Sequence, residues 1–396
     1  MPFSTLPLSY CTNVHPGRTL AEVVRGLQDY TVPLQRNCGG GVAAGLWLAQ
    51  PVIEEILAAR EGGRRFRGEL EALGLSCYSL NAFPYGDFHS DRVKEQVYLP
   101  KWSDPRRRRY TEGCARVLAD LLPDQGEGSI STMPLGFKGF GFPLDFERVA
   151  ITELLATAEF LHRLEQQTGK KIRLAIEPEP YCLLETTPET VAFFGKLFAA
   201  ADEQGVGKIA REYLGVCYDV CHQGVEFEEI TQSILSLKSA GIRINKVHIT
   251  CAIRLEQPAS NNEGRGALAR YAEPRYLHQT LGKTTTGGVL RSVDLSADFV
   301  RQPPVEWLQS PEWRIHFHVP VHLDELGPLG TTKPQLIEAL RTVRNLDYTP
   351  HLEVETYTWE VLPGVETKRT PKDLVAGLTQ EILGARAILS DLSNSK

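Results

Sequence analysis

The chain has 396 residues, 42 % hydrophobic and 23 % charged, with a formal net charge of −6. That composition is a globular protein's, and its acidic balance excludes a surface built mainly to grip a polyanion, so no nucleic-acid partner is expected. No run reaches the roughly 18 apolar residues that a membrane-spanning helix needs.

The N-terminal "MPFSTLPLSYCTNVHPG" lacks a basic segment followed by a long apolar one, so no secretory signal is expected. The eight cysteines (Cys11, Cys38, Cys77, Cys114, Cys182, Cys217, Cys221 and Cys251) form no C-x-x-C pair. They read as reduced small hydrophobes of a cytoplasmic protein.

In chain order, apolar strand-like runs alternate with helical periodicity. "LPLSYCTNV" (6–14) precedes a helix starting near Thr19, and "GGGVAAGLWLA" (39–49) precedes a second. "LSCYSLNAFPYG" (75–86) follows, with the basic run "DPRRRRY" after it as a solvated helix start. "GSISTMPLGF" (128–137), "KIRLAIEPEP" (171–180) and "LGVCYDVCH" (214–222) each lead into a helix. "INKVHITCA" (244–252) and "PHLEVETYT" (350–358) complete the set. Eight strand–helix units imply parallel pairing through right-handed crossovers and predict an α/β fold, a closed (β/α)₈ TIM barrel, as a single domain over 1–396. An open doubly wound sheet lacks its mark, since no G-x-G-x-x-G follows the first strand. Between strands seven and eight, about 255–325, a polar Gly- and Pro-rich segment and the alternating "WRIHFHVPVHLDELG" predict a long excursion over the barrel mouth, with an ordinary surface insertion as the alternative.

Chemistry in such a barrel sits at the C-terminal strand ends. Strand five ends at Glu177, with Glu179 on the same face by the period of two. Strand six ends at Asp219, with His222 just beyond; taken alone, Asp219 reads as a helix N-cap. Strand seven carries His248, and strand eight carries Glu353 and Glu355 on one face. Buried acids cost several kcal/mol unless paired or metal-bound, so four successive strand ends of this kind point to one divalent ion. The mixed oxygen–nitrogen set suits Mn²⁺, Co²⁺, Mg²⁺ or Zn²⁺. Cys217 and Cys221, which flank Asp219, are assigned to packing. His15, Asn81 and Lys138 lie near strand ends and are candidates for the mouth; Trp359 is a candidate apolar wall.

"LAIEP", "DVCH", "VHI" and "LEVET" together resemble the xylose isomerase-like TIM barrels, which include ketohexose 3-epimerases, hydroxypyruvate isomerase, inosose dehydratase and AP endonucleases. More narrowly, "YCTNVHPG", "NAFPYGDFH", "VKEQVYLPKW", "GSISTMPLGFK" and "VETYTW" resemble the EboE family of metabolite traffic proteins, whose operon points to a cyclitol-derived metabolite. The resemblance implies that Glu177, Asp219, His248 and Glu355 are the metal ligands and that His222 holds a substrate hydroxyl. It implies a substrate-binding role for Arg254, six residues past His248. Glu179 and His318 are further candidates for substrate contact, and His316, His318 and His322 could add ligands as extra histidines do in the AP endonucleases. Those enzymes also take ligands from strands two and three, where "GLWLAQ" offers none.

The implied reaction is isomerisation or epimerisation of a sugar or cyclitol-type polyol ketone. The ion would clamp two adjacent substrate oxygens and stabilise an enediolate, with Glu177 and Glu355 as catalytic base and acid. The alternatives are an AP endonuclease-like metal-dependent phosphodiesterase and a non-catalytic metabolite-binding barrel. A small-molecule polyol is the expected partner, and a homodimer is compatible with the sequence.

Overall fold

A computed structural model describes residues 3–4, 6–363 and 370–394. Met1, Pro2 and Thr5 of the N-terminal stretch read for a signal lie outside the described residues.

Eight parallel strands close into a barrel: β1 (Leu8–Cys11), β2 (Val42–Trp47), β3 (Ser79–Asn81), β4 (Glu127–Thr132), β5 (Lys171–Ile176), β6 (Leu214–Asp219), β7 (Ile244–Ile249) and, after an excursion, the last stave, His351–Val354. The closed order runs through consecutive staves and joins the last to β1, as the eight counted units require.

Local chemistry sets the helix ends between them. Thr186 and Glu189 form a reciprocal capping box at the start of the helix Thr187–Glu203. Asp104 caps the helix Pro105–Leu121 by accepting from the Arg106 N–H, so the basic run is a helix start, but it is not wholly solvated: Arg107 is fully buried, donating to the carbonyls of Pro100, Ala82 and Phe83. The helix Phe146–Thr168 stops at Gly169, whose φ of 70° a side chain would resist.

The excursion is a second layer, and it begins earlier than the polar composition suggested. β8 (Cys251–Glu256) follows β7 almost at once and enters a separate sheet with β9 (Thr280–Lys283), β10 (Val289–Ser292), β11 (Glu312–Val319), β12 (Glu325–Leu326) and β13 (Leu329–Thr331). Their order is β10-β9-β11-β8-β13-β12, and the barrel's last stave is therefore β14. This sheet has its own core: Leu255, Trp313, Ile315 and Phe317 are fully buried, and Trp313 stacks on Phe299 at 5.6 Å and meets Trp307 edge-on at 5.4 Å. Aromatic pairs of this kind add roughly 0.5–1.5 kcal/mol each beyond area burial. The polar loops that dominate the sequence of the segment connect these strands.

Register fixes what points into the barrel. Lys246 pairs with His351, and His248 with both Glu353 and Asp219, so the period of two turns all of these inward in layers. The lower layer is sealed by the ion pair Lys246 Nζ–Glu353 Oε1 at 2.7 Å, both side chains fully buried. Gly45 faces it from β2: a Cβ there would lie 2.0 Å from Glu353 Oε2, so only glycine leaves room for the carboxylate. His351 lies between the hydroxyls of Ser9 and Ser129, 3.0 Å from each.

Candidate metal centre

At the C-terminal end of the barrel the four strand-end residues meet. Glu177, Asp219, His248 and Glu355 are all buried, and each offers one ligand atom within 4.8 Å of the others. His248 Nδ1 is the hub, 3.1 Å from Glu177 Oε1, 3.3 Å from Asp219 Oδ2 and 3.1 Å from Glu355 Oε2.

The three carboxylates share a pattern. Asp219 Oδ1 accepts the His222 N–H at 3.0 Å, which caps the short helix Val220–Val225, and accepts the Thr250 hydroxyl at 2.8 Å. The cap consumes one oxygen and leaves Oδ2 buried without a hydrogen-bond partner. Glu355 Oε1 accepts from Asn13 Nδ2 at 2.9 Å and from Asn81 Nδ2 at 2.7 Å, which leaves Oε2 for the hub. Glu177 Oε2 is also buried without a partner. Three carboxylates around one imidazole, with buried oxygens to spare, lack positive charge, and a divalent cation fits that deficit. The hard oxygens and single nitrogen suit Mg²⁺, Mn²⁺, Co²⁺ or Zn²⁺.

Electrostatics agree. Burial raises Glu177 to about 7 against the pull of His248. Burial also acts on Asp219, but the facing imidazoles of His222, His318 and His248 hold it well below the carboxylate range. Although burial works against its charge, His248 is held well above the usual histidine value, with Glu355 and Glu177 among the groups that raise it. Underneath, Glu353 Oε1 lies 3.6 Å from His248 Nε2, beyond hydrogen-bond reach, and that nitrogen has no hydrogen-bond partner.

Above the cluster lies a small cavity of ≈ 60 Å³. Glu177, Glu179, His222, His316, His318 and Glu355 line its polar floor. Phe83, Phe88, Tyr98, Tyr276 and Tyr357 form aromatic walls, so both the loop after β3 and the second sheet's segment help close it. Lys94 is the cationic lining residue. Its Nζ is already held by Asp294 at 2.7 Å and by the carbonyls of Glu273 at 2.9 Å and Tyr276 at 2.6 Å.

The other expected site residues divide. Glu179 reaches the cavity, accepting the Tyr98 hydroxyl at 2.7 Å, and burial raises its carboxyl well above the usual range. Asn81 and His318 also line it. Arg254 does not: β8 leaves the barrel, and the guanidinium pairs with Glu256 at 3.0 Å within the second sheet. The six-residue spacing from His248 therefore carries Arg254 onto another layer. His15 is packed instead of lining the mouth; its Nε2 meets Tyr10 Oη at 3.0 Å and its ring stacks on Tyr30. Lys138 binds Glu185 at 2.5 Å and Glu189 at 2.8 Å, away from the cavity. His322 and Trp359 lie outside it too, and Trp359 donates to buried Glu381 at 3.0 Å.

Sequence reasoning passed over Asn13, which holds Glu355, although it stands just two residues past the end of β1. It also passed over Tyr98 and Gln279, whose places depend on long-range folding and carry no local signal.

No protein-family model matches the chain, and no curated protein matches it in sequence. Solved structures do match its fold. L-ribulose 3-epimerase aligns over 98 % of this chain and 96 % of its own, at 12 % identity and a TM-score of 0.53. A xylose isomerase-like TIM barrel protein from Mycobacterium smegmatis, in complex with magnesium, aligns over 99 % of both chains at 11 % identity and a TM-score of 0.54. D-psicose 3-epimerase, solved with D-fructose, aligns over 97 % of this chain and 99 % of its own, at 13 % identity and a TM-score of 0.51. These likenesses show a shared barrel architecture.

Proposed function

We propose that this barrel is a divalent-metal-dependent isomerase or epimerase of a sugar or cyclitol-type polyol ketone, working by proton transfer beside a carbonyl. One observation carries the reading: three buried carboxylates surround His248, two of them with an oxygen that has no hydrogen-bond partner, on the floor of a cavity walled by aromatic rings. Glu177, Asp219, His248 and Glu355 are the residues that would hold the ion. When bound, such an ion supplies Lewis acidity to adjacent substrate oxygens.

The chain's own residues do the rest. Glu177 and Glu355 come from strands separated by β6 and β7 around the barrel, so they approach a guest from different sides. Glu177, buried on the cavity floor, is placed to take a proton from carbon. Glu355 is fixed by Asn13 and Asn81 on the other side of the guest; against burial, His248 holds its carboxyl below the usual range, so it takes up a proton from solvent or from a substrate hydroxyl before giving one to carbon. The aromatic walls exclude water and offer ring faces to the C–H surface of a polyol.

The cavity's cation favours this over a phosphodiesterase, because Lys94 spends its donors on Asp294 and two carbonyls and leaves none for a phosphate. The occurrence of the same barrel in L-ribulose 3-epimerase and D-psicose 3-epimerase supports the reaction class, and the EboE resemblance supports a cyclitol ketone as the substrate.

Incubation of the metal-loaded protein with ketoses and cyclitol ketones in D₂O tests it: deuterium should enter the carbon skeleton. A protein that binds these compounds without exchange is a carrier. Survival of both metal binding and turnover in Glu355→Gln would falsify the assignment of that residue.

A further inference from the structure

Two asparagines hold Glu355, and they differ in what each has left to offer. Asn13 lies in the short turn Thr12–Val14 just past β1, and Asn81 ends β3. Both are buried, both line the cavity, and both donate from Nδ2 to Glu355 Oε1, at 2.9 Å and 2.7 Å. Asn81 spends its other groups on the protein. Its Oδ1 accepts the Phe83 N–H at 3.0 Å, and its Nδ2 also donates to Cys11 Sγ at 3.6 Å. Asn13 Oδ1, by contrast, is buried without a hydrogen-bond partner.

The neighbours fix which end of the Asn13 amide is the oxygen. A backbone N–H only donates, so Asn81 must turn Oδ1 to Phe83 and Nδ2 to Glu355. Glu355 Oε1 is thereby an acceptor, and as a ligand carboxylate it has no proton to give back. Asn13 must therefore meet it with Nδ2 as well, because the flipped amide would set two acceptors face to face. The turn itself is pinned: the Asn13 carbonyl lies 2.9 Å from His89 Nε2, and the Thr12 hydroxyl accepts the Trp47 N–H at 2.9 Å. Donors that line the same cavity are turned elsewhere. Lys94 gives its hydrogens to Asp294 and two carbonyls, Tyr98 gives its hydroxyl to Glu179 at 2.7 Å, and Tyr276 gives its own to the Phe88 carbonyl at 3.2 Å. A buried acceptor left without a donor costs stability, and a donor hydrogen on a guest would complete this one.

We infer that Asn13 is a specificity-determining residue: its Oδ1 accepts a hydrogen from one hydroxyl of the guest while its Nδ2 holds Glu355. The inference rests on the reading of the cavity as a polyol site and adds to it which protein atom selects the guest. An oxygen that cannot donate requires an O–H at that position and refuses a carbonyl, an ether or a halogen there. A site built in this way rejects the analogue without the hydrogen, because binding that analogue leaves the buried oxygen unpaired. The same amide carries Glu355, so the hydroxyl that is read lies on the Glu355 side of the guest.

Calorimetric binding to the metal-saturated full chain tests it, with ketohexoses and inososes as probes, each beside its series of monodeoxyfluoro analogues. Fluorine nearly keeps the size of a hydroxyl and has no hydrogen to give. In the tightest-binding compound, one fluorine position should weaken binding about tenfold or more in wild type and in Asn81→Ala, and less than about twofold in Asn13→Ala. Both variants loosen Glu355, but only Asn13→Ala removes an unspent acceptor, so the contrast between them isolates Oδ1. The readout is a ratio of dissociation constants within one protein, which partial misfolding of a variant does not move. Fluorine effects of equal size in all three proteins, or lost equally in both variants, overturn the inference and leave the proposed function standing. Failure of every polyol to bind overturns both.

Discussion

Two charged layers lie one above the other inside the same barrel, built largely from the same staves. In the lower layer Lys246 and Glu353 are fully buried but carry opposite charges 2.7 Å apart. In the upper layer Glu177, Asp219 and Glu355 surround one imidazole, with oxygens left over. The lower layer brings its own counter-ion and the upper does not. Burial alone is therefore not the mark of a metal site; the mark is a buried charge the protein leaves unbalanced.

The largest expected effect comes from unbalancing the lower layer. Lys246→Met strands Glu353 in the barrel and should cost about 3–5 kcal/mol in denaturant unfolding. The double change with Glu353→Gln should recover most of it. A loss below about 1 kcal/mol in the single variant would show that the two layers do not differ as described.

Metal should act on the upper layer alone. An ion at about 100 times its dissociation constant should add about 2.7 kcal/mol of stability, reversed by chelator. That increment should persist in the Lys246→Met, Glu353→Gln double variant and shrink in Glu355→Gln. Equal increments in both would dissolve the distinction.

Asn81→Ala removes one of the two amides that hold Glu355 without touching the hub. Affinity for the ion should fall roughly 10–100-fold, measured by competition with a chromophoric chelator, while the melting temperature without metal changes little.

The last test changes no residue, only the pH. Glu177 sits at about 7 in the metal-free chain, and His248 is held above its usual value, so binding must displace protons from both. Affinity should fall at least tenfold per unit as pH drops below about 7 and flatten above the higher of the two values. A flat profile between pH 5 and 8 would mean that neither residue is a ligand.

The upper layer was largely legible in the sequence because it depends on local rules. A strand has period two, barrel chemistry lies at strand ends, and Glu177, Asp219, His248 and Glu355 occupy such ends one stave after another. Even the rival reading of Asp219 as a helix cap proved compatible, since a carboxylate has two oxygens and the cap takes one. The lower layer was half legible: Glu353 lay on the right face, but nothing in the chain near it names Lys246 as its partner. Arg254 misled because a count of residues past His248 assumes that the chain stays at the barrel rim, and β8 leaves it.

The sequence by itself determined the eight staves, their inward faces and the residue types at their ends, because strand period and helix capping act over a few residues. Only the tertiary structure decided which of those groups share a space. Barrel closure brings Glu355 beside Asn13 and Asn81, and the second sheet carries His316 and His318 to His222. Such meetings join residues far apart in the chain, and the packing of a second layer sets them where no local pattern records it.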